Sequence, residues 1–131
     1  MATSIQVVGD KTAVLPDLDV LVLLRMMSEE VMENDSDYPS LQSVAGSWKA
    51  SCDCYGLGTL DMKLDMVAAN ALAMTEFVRL LRTTEDKILT LGSAIPASLL
   101  NDRWGVHRVT FSDYSTSMLS DVIAKIRVLL I

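Results

Sequence analysis

The sequence predicts a single α+β domain over residues 1–131, in which antiparallel strands and hairpins pack against about three main helices. Two stretches of alternating polarity, each containing a glycine turn, indicate the hairpins. Apolar residues at helical spacing indicate the helices. The chain has 131 residues, 50% of them hydrophobic, so it is long and apolar enough to bury one core.

The N-terminal stretch "SIQVVGDKTAVL" predicts two short strands joined at Gly9-Asp10. Glycine at the first central position suits a type II′ hairpin turn. Pro16 ends the second strand. The segment "DLDVLVLLRMMSEEVME" (17–33) predicts a helix, because it is long and has no internal Gly or Pro. Asp17 and Asp19 lie in its first turn, where the helix dipole favours negative charge.

The stretch "SWKASCDCYGLGTLDMKLDM" (47–66) predicts a second hairpin. Its two runs alternate between apolar and polar residues on either side of Gly56-Leu57-Gly58. The apolar members are Trp48, Ala50, Cys52 and Cys54 in the first run, and Leu60, Met62, Leu64 and Met66 in the second. Both cysteines are therefore expected on the buried face, and Asp61 and Asp65 on the outer face.

Helical periodicity begins again at Val67, and this helix is expected to end near Thr83. Its predicted apolar stripe consists of Val67, Ala71, Met74, Val78 and Leu81. Residues 84–104 do not distinguish a helix from a strand, except that Pro96 indicates the start of a short helix.

Further on, "GVHRVTF" (105–111) resembles a strand, and the C-terminal segment predicts a helix capped by Ser117. The apolar stripe of that helix is Leu119, Val122, Ile123, Ile126, Leu129 and Leu130.

No motif indicates a cofactor or a metal. The chain has two cysteines and one histidine, His107, whereas a structural zinc site needs four ligands. The Gly56-Leu57-Gly58 motif lacks the third glycine of a dinucleotide fingerprint, because Asp61 stands there. A calcium loop beginning at Asp35 fails because its Gly and Glu positions hold Ser40 and Gly46. A cysteine paired with His107 as a nucleophile stays open, but no surrounding signature supports it.

The charge is negative and unevenly distributed. The net charge is −6, and no Lys or Arg lies between Arg25 and Lys49. A surface of this sign repels phosphates, so a direct nucleic-acid partner is not expected, whereas a basic protein is. The uncharged stretch 88–101 is too short to span a membrane. The N-terminus has no secretory pattern, so a cytoplasmic location is expected.

In size, negative charge and layout the chain resembles bacterial toxin immunity proteins, including those of contact-dependent growth inhibition systems. This resemblance implies a tight heterodimer with one cognate basic toxin of the nuclease type, and no enzymatic activity. The alternatives are a small acidic secretion chaperone, a homo-oligomeric assembly subunit that uses the C-terminal helix, and a small Cys/His enzyme.

The residues expected to bind the partner come from two regions and include an aromatic anchor of the kind that interfaces favour. They are Glu29, Glu30, Glu33, Asp35, Asp37 and Tyr38 around the end of the first helix, and Asp53, Tyr55, Asp61 and Asp65 on the second predicted hairpin.

Overall fold

A computed structural model of the chain describes residues 3–54, 60–102 and 113–131. Within these ranges it has two small antiparallel sheets and several helices, so the predicted α+β class is confirmed. The strands are β1 (Thr3–Val8), β2 (Lys11–Pro16), β3 (Ala94–Ile95) and β4 (Tyr114–Ser115). The helices are α1 (Asp17–Glu33), α2 (Gln42–Asp53), α3 (Leu64–Ala68), α4 (Ala71–Thr90), α5 (Ala97–Asp102) and α6 (Thr116–Leu129).

The N-terminal hairpin forms as predicted. Strand β1 pairs with β2 in an antiparallel register that places Ile5 opposite Val14 and Val8 opposite Lys11. Gly9 has a φ of 61°, whereas Asp10 is not in the positive-φ region. One positive φ at the first central residue is the signature of a type II′ turn, which matches the right-handed twist of the strands.

Helix α1 also has the predicted bounds and forms the centre of the molecule. Its residues 20–24 are all buried, so it is covered on every side near its start. Helices α2, α4 and α6 pack against it. At its N-terminus, Asp17 accepts a hydrogen bond from the Ser4 hydroxyl of β1. In its middle, the Arg25 guanidinium lies 2.9 Å from the Asp53 carboxylate at the end of α2.

The second predicted hairpin is wrong. Residues 42–53 form α2, and residues 64–68 form α3, so the fold has one more long helix and one fewer hairpin than expected. Trp48 and Cys52 are four residues apart, and with Val44 and Ala45 they make the buried stripe of a helix. Cys52 is buried as predicted, but Cys54 is exposed. The predicted glycine turn and Tyr55 lie outside the described residues.

Helix α4 is longer than predicted. The Asn70 side chain caps it by accepting hydrogen bonds from the backbone N–H groups of Leu72 (2.9 Å) and Ala73 (3.1 Å). The helix then continues past Thr83 to Thr90. Val78, predicted to be buried, is 48% exposed. The buried apolar residues of this helix are Ala73, Phe77, Leu80, Leu81 and Ile88.

The C-terminal part confirms the short helix after Pro96 and the long final helix. Helix α6 begins at Thr116, so Ser115, not Ser117, occupies the N-cap position. Thr116 fixes this start by donating to the carbonyl groups of Ser93 (3.1 Å) and Gly92 (2.8 Å). The strand predicted at 105–111 lies outside the described residues. None of the helices that the structure describes is long and apolar enough to cross a membrane.

Candidate functional site

Strand β1 has its polarity reversed relative to an ordinary surface strand, although the inner face of β2 carries an apolar, fully buried residue, Leu15. On β1 the polar side chains of Ser4 and Gln6 are buried, with exposed fractions of 0% and 1%. The apolar side chains of Ile5, Val7 and Val14 face outward and are 63%, 39% and 56% exposed. We call these three residues the outer hairpin face. Ile5 and Val14 lie directly opposite each other, so their side chains form one continuous apolar surface.

Two buried polar contacts explain this reversal. The Gln6 side-chain amide donates to the Leu60 carbonyl and accepts from the Met62 N–H, each at 3.0 Å. Ser4 donates to the buried Asp17. Since side chains alternate along a strand, burying residues 4 and 6 places residues 5 and 7 on the outside.

A groove runs between β1 and the segment of residues 61–66. It has a volume of about 470 Å³. Its lining residues are Ile5, Val7, Asp61, Lys63, Leu64, Asp65 and Met66. Met66 is 53% exposed and extends the apolar surface of the outer hairpin face.

Two exposed carboxylates lie on the far wall of this groove and are held by backbone groups. Asp61 accepts from the Lys63 N–H at 2.8 Å, which supports the left-handed conformation of Lys63 (φ 57°). Asp65 accepts from the Gly9 N–H at 3.0 Å and so ties the start of α3 to the hairpin turn. The Lys63 ammonium lies 3.6 Å from Asp61. The groove therefore has the apolar side chains of β1 on one wall, and on the other wall two fixed carboxylates beside Lys63 and Met66.

The acidic residues predicted around the end of α1 divide into exposed and internal groups. Glu33, Asp35 and Asp37 are exposed, and Glu29 is half-buried. Glu30 is buried and pairs with the Lys87 ammonium of α4.

A second cation from α4 lies beside residues 26–48, the interval that has no Lys or Arg of its own. The Arg79 guanidinium lies 5.2 Å from the centre of the Tyr38 ring and donates to the Asp37 carbonyl. Tyr38 itself is 3% exposed. Glu30 and Tyr38 thus stabilise the fold from inside, and the surface formed there consists of Glu33, Asp35 and Asp37, which we call the acidic loop.

The structure does not bring all the predicted residues together. The acidic loop follows the C-terminal end of α1, whereas the hairpin precedes its N-terminal end. The 17 residues of α1 span about 25 Å between them. Asp53 is exposed and pairs with Arg25. Of the predicted residues that the structure describes, Asp61 and Asp65 line a groove. Sequence reasoning missed Ile5, Val7 and Val14, because the apolar residues of an alternating strand are ordinarily expected to face the core.

Two ionisable groups in the core have shifted pKa values. Burial raises the pKa of Asp19 above its usual 3.8, Lys125 lowers it and Asp121 raises it further. Burial also raises the pKa of the Cys52 thiol to about 11, although Arg25 acts in the opposite direction. Cys52 is therefore protonated at neutral pH and unsuited to act as a nucleophile.

The described ranges contain no group of three or more His, Cys, Asp or Glu side chains arranged to hold a metal ion, and His107 lies outside them. Comparisons of the chain with protein-family models, with curated proteins and with solved structures found no match.

Proposed function

We propose that this chain is a non-catalytic acidic binding protein that neutralises a cognate basic toxin of the nuclease type by forming a tight heterodimer. It acts in the cytoplasm as an immunity protein. The observation that carries this proposal is the outer hairpin face, an exposed apolar surface that adjoins the carboxylates of Asp61 and Asp65.

This combination has the composition of a protein-binding surface. Stable interfaces have an apolar centre surrounded by polar groups, and large exposed apolar patches mark such sites. Ile5, Val14 and Met66 supply the apolar centre, each more than half exposed. The neighbouring carboxylates favour a partner with Lys or Arg, because opposite charges across an interface select the partner.

The acidic loop contributes at longer range. Its three exposed carboxylates belong to a chain with a net charge of −6. A nuclease cleft is positively charged because it binds phosphates, so the field of the loop accelerates the encounter without requiring a close contact. The loop therefore governs the association rate, and the outer hairpin face governs the lifetime of the complex.

The direct test is co-expression with any basic protein that is encoded beside the gene of this chain and stops growth when expressed alone. We expect the toxin alone to stop growth, co-expression to restore viable counts at least a thousandfold, and the purified proteins to form a 1:1 complex. A toxin that stays active, and that shows no complex with this chain, would refute the proposal.

A charge-reversal pair tests the role of the acidic loop. E33K/D35K should lower the association rate about tenfold at low salt and have little effect on dissociation. D86K/D102K changes the net charge equally at two exposed positions elsewhere and serves as the control. Equal loss of rate in both variants would mean that only the net charge matters.

A second candidate is a homo-oligomeric assembly subunit, and one observation favours it. An apolar groove of about 310 Å³ lies between α4 and the end of α6, lined by Val78, Leu81, Arg127, Leu130 and Ile131. Light scattering of the purified chain decides between the two: a 14.3 kDa monomer at micromolar concentration supports the immunity protein, and a stable dimer supports the subunit.

A further inference from the structure

The register of the N-terminal hairpin fixes which backbone groups of β1 point away from β2. Val8 and Lys11 flank the two-residue turn, so they form a hydrogen-bonded pair. Such pairs alternate with non-bonded pairs along an antiparallel ladder. Gln6 and Ser4 therefore bond to β2, whereas the N–H and C=O groups of Ile5 and Val7 point to the opposite edge. Pro16, which has no N–H, pairs with Thr3 in a non-bonded position, as this assignment requires.

In the ranges the structure describes, no backbone group forms a hydrogen bond with these outward-pointing N–H and C=O groups. Edge strands of this kind pair readily with another chain, and proteins usually protect them with charged side chains or prolines. Here the edge carries two exposed β-branched residues, Ile5 and Val7. The same two residues form one wall of the 470 Å³ groove, so the open edge and the groove are one feature.

We propose that this edge of β1 binds an extended segment of the basic partner, which adds to the hairpin as a third strand. The inference rests on the proposed binding function and specifies how the partner is held. Backbone hydrogen bonds to Ile5 and Val7 provide the pairing. Alternate side chains of the added strand contact the outer hairpin face and the opposite wall, as in other cases of strand addition.

The carboxylates of Asp61 and Asp65 determine which side chains the added segment of the partner carries. Asp61 and Asp65 are exposed on the wall that faces β1, and backbone N–H groups hold both in place. Only Lys63, already beside Asp61, brings a positive charge to the groove lining. The segment therefore carries Lys or Arg alternating with apolar residues. A second copy of this chain is disfavoured, because pairing two β1 edges brings the same carboxylates of both copies together.

A model peptide tests the pairing directly. The probe is a capped five-residue peptide of alternating lysine and valine, added to the ¹⁵N-labelled chain. Its binding should slow hydrogen exchange of the Ile5 and Val7 amides at least tenfold. The amides of Gln6 and Val8, already bonded to β2, should change little and serve as internal controls.

Two altered peptides separate charge from backbone pairing. Glutamate in place of lysine should abolish binding, and N-methylation along the bonding edge should abolish it while the charge stays the same. If the N-methylated peptide binds as well as the parent, or if exchange at Ile5 and Val7 does not slow, strand addition is wrong.

A matched pair of proline variants extends the test to the protein partner. Val7 and Thr12 form one non-bonded pair, so V7P and T12P remove outward N–H groups from opposite edges of the hairpin and leave the ladder bonds intact. V7P should weaken toxin binding at least tenfold, and T12P should not. Thermal unfolding checks that both variants fold. If V7P does not fold, the peptide experiments alone test strand addition.

The outcomes distinguish the two proposals. If the toxin binds V7P as tightly as the unaltered chain, strand addition fails and the binding function stands. If no basic toxin binds the chain at all, the proposed function fails, and slowed exchange at Ile5 and Val7 still establishes β1 as a strand-accepting edge.

Discussion

The Gln6 side chain is the contact on which the orientation of the hairpin depends, so its removal is the most informative perturbation. Gln6 is 1% exposed, and its amide makes two hydrogen bonds of 3.0 Å to the backbone of residues 60 and 62. Q6A removes both bonds and leaves a buried carbonyl and a buried N–H without partners, because Leu60 and Met62 are themselves 2% and 0% exposed.

The expected loss follows from these two groups. A buried polar group that loses its partner costs about 1–3 kcal/mol, and some of this is recovered where water enters the site. We therefore expect Q6A to lower the free energy of unfolding by about 2–4 kcal/mol. For a domain of this size that corresponds to a fall in Tm of roughly 8–16 °C.

Urea unfolding, followed by circular dichroism and tryptophan fluorescence, measures the loss. Trp48 reports on the same region, since its indole N–H donates to the Met62 carbonyl at 2.7 Å. Q42A is the matched control: the Gln42 amide also bonds to backbone carbonyls, of Tyr38 (3.0 Å) and Asp35 (3.4 Å), but its side chain is exposed. We expect Q42A to cost less than about 0.5 kcal/mol, because water replaces the lost bonds. Equal costs for Q6A and Q42A would refute the reasoning.

Two further predictions concern the ionisable groups of the core. D19N should raise the free energy of unfolding at pH 7. The pKa of Asp19 in the folded protein lies above 3.8, so the contribution of Asp19 to stability is present below pH 3.8 and is lost as the pH rises through the folded-state pKa. Urea unfolding curves measured from pH 7 downward should therefore show that the stability gained by D19N shrinks, and a gain that stays constant would contradict this reasoning. Cys54 should react with a thiol reagent at once and Cys52 only on unfolding, because Cys52 is buried and its pKa is about 11; mass spectrometry of the labelled peptides distinguishes them.

The elements that sequence reasoning predicted correctly are those specified by local chemistry. Gly9 and Asp10 define the turn of the hairpin without help from the rest of the fold. Helix α1 has no internal Gly or Pro over its 17 residues, and its apolar density excludes a surface loop. In α6 the buried residues repeat at helical spacing, and only its cap was misplaced, by two residues.

The second hairpin failed because, of the four apolar residues that alternate from Trp48 to Cys54, only Trp48 and Cys52 are buried. Trp48 and Cys52 satisfy both a period of two and a spacing of four. The decisive residues, Val44 and Ala45, precede the stretch in which the alternation was recognised, and they complete the buried stripe of α2. Glu30 and Tyr38 were expected at the surface for a similar reason. Their partners, Lys87 and Arg79, come from α4 and are distant in sequence.

The orientation of the N-terminal hairpin could not be predicted from the polarity of β1, and the exposed apolar surface was missed for that reason. Ser4 and Gln6 alternate with Ile5 and Val7, so local hydrophobicity favours burying the apolar pair. The opposite face is buried because Leu15 of β2 lies on it in the core, and because the Gln6 amide meets backbone groups 54 and 56 residues further along the chain. That contact compensates for the burial of a polar side chain, and it forces two β-branched residues into solvent beside Asp61 and Asp65. We propose that the partner of the binding function covers these exposed side chains together with Val14.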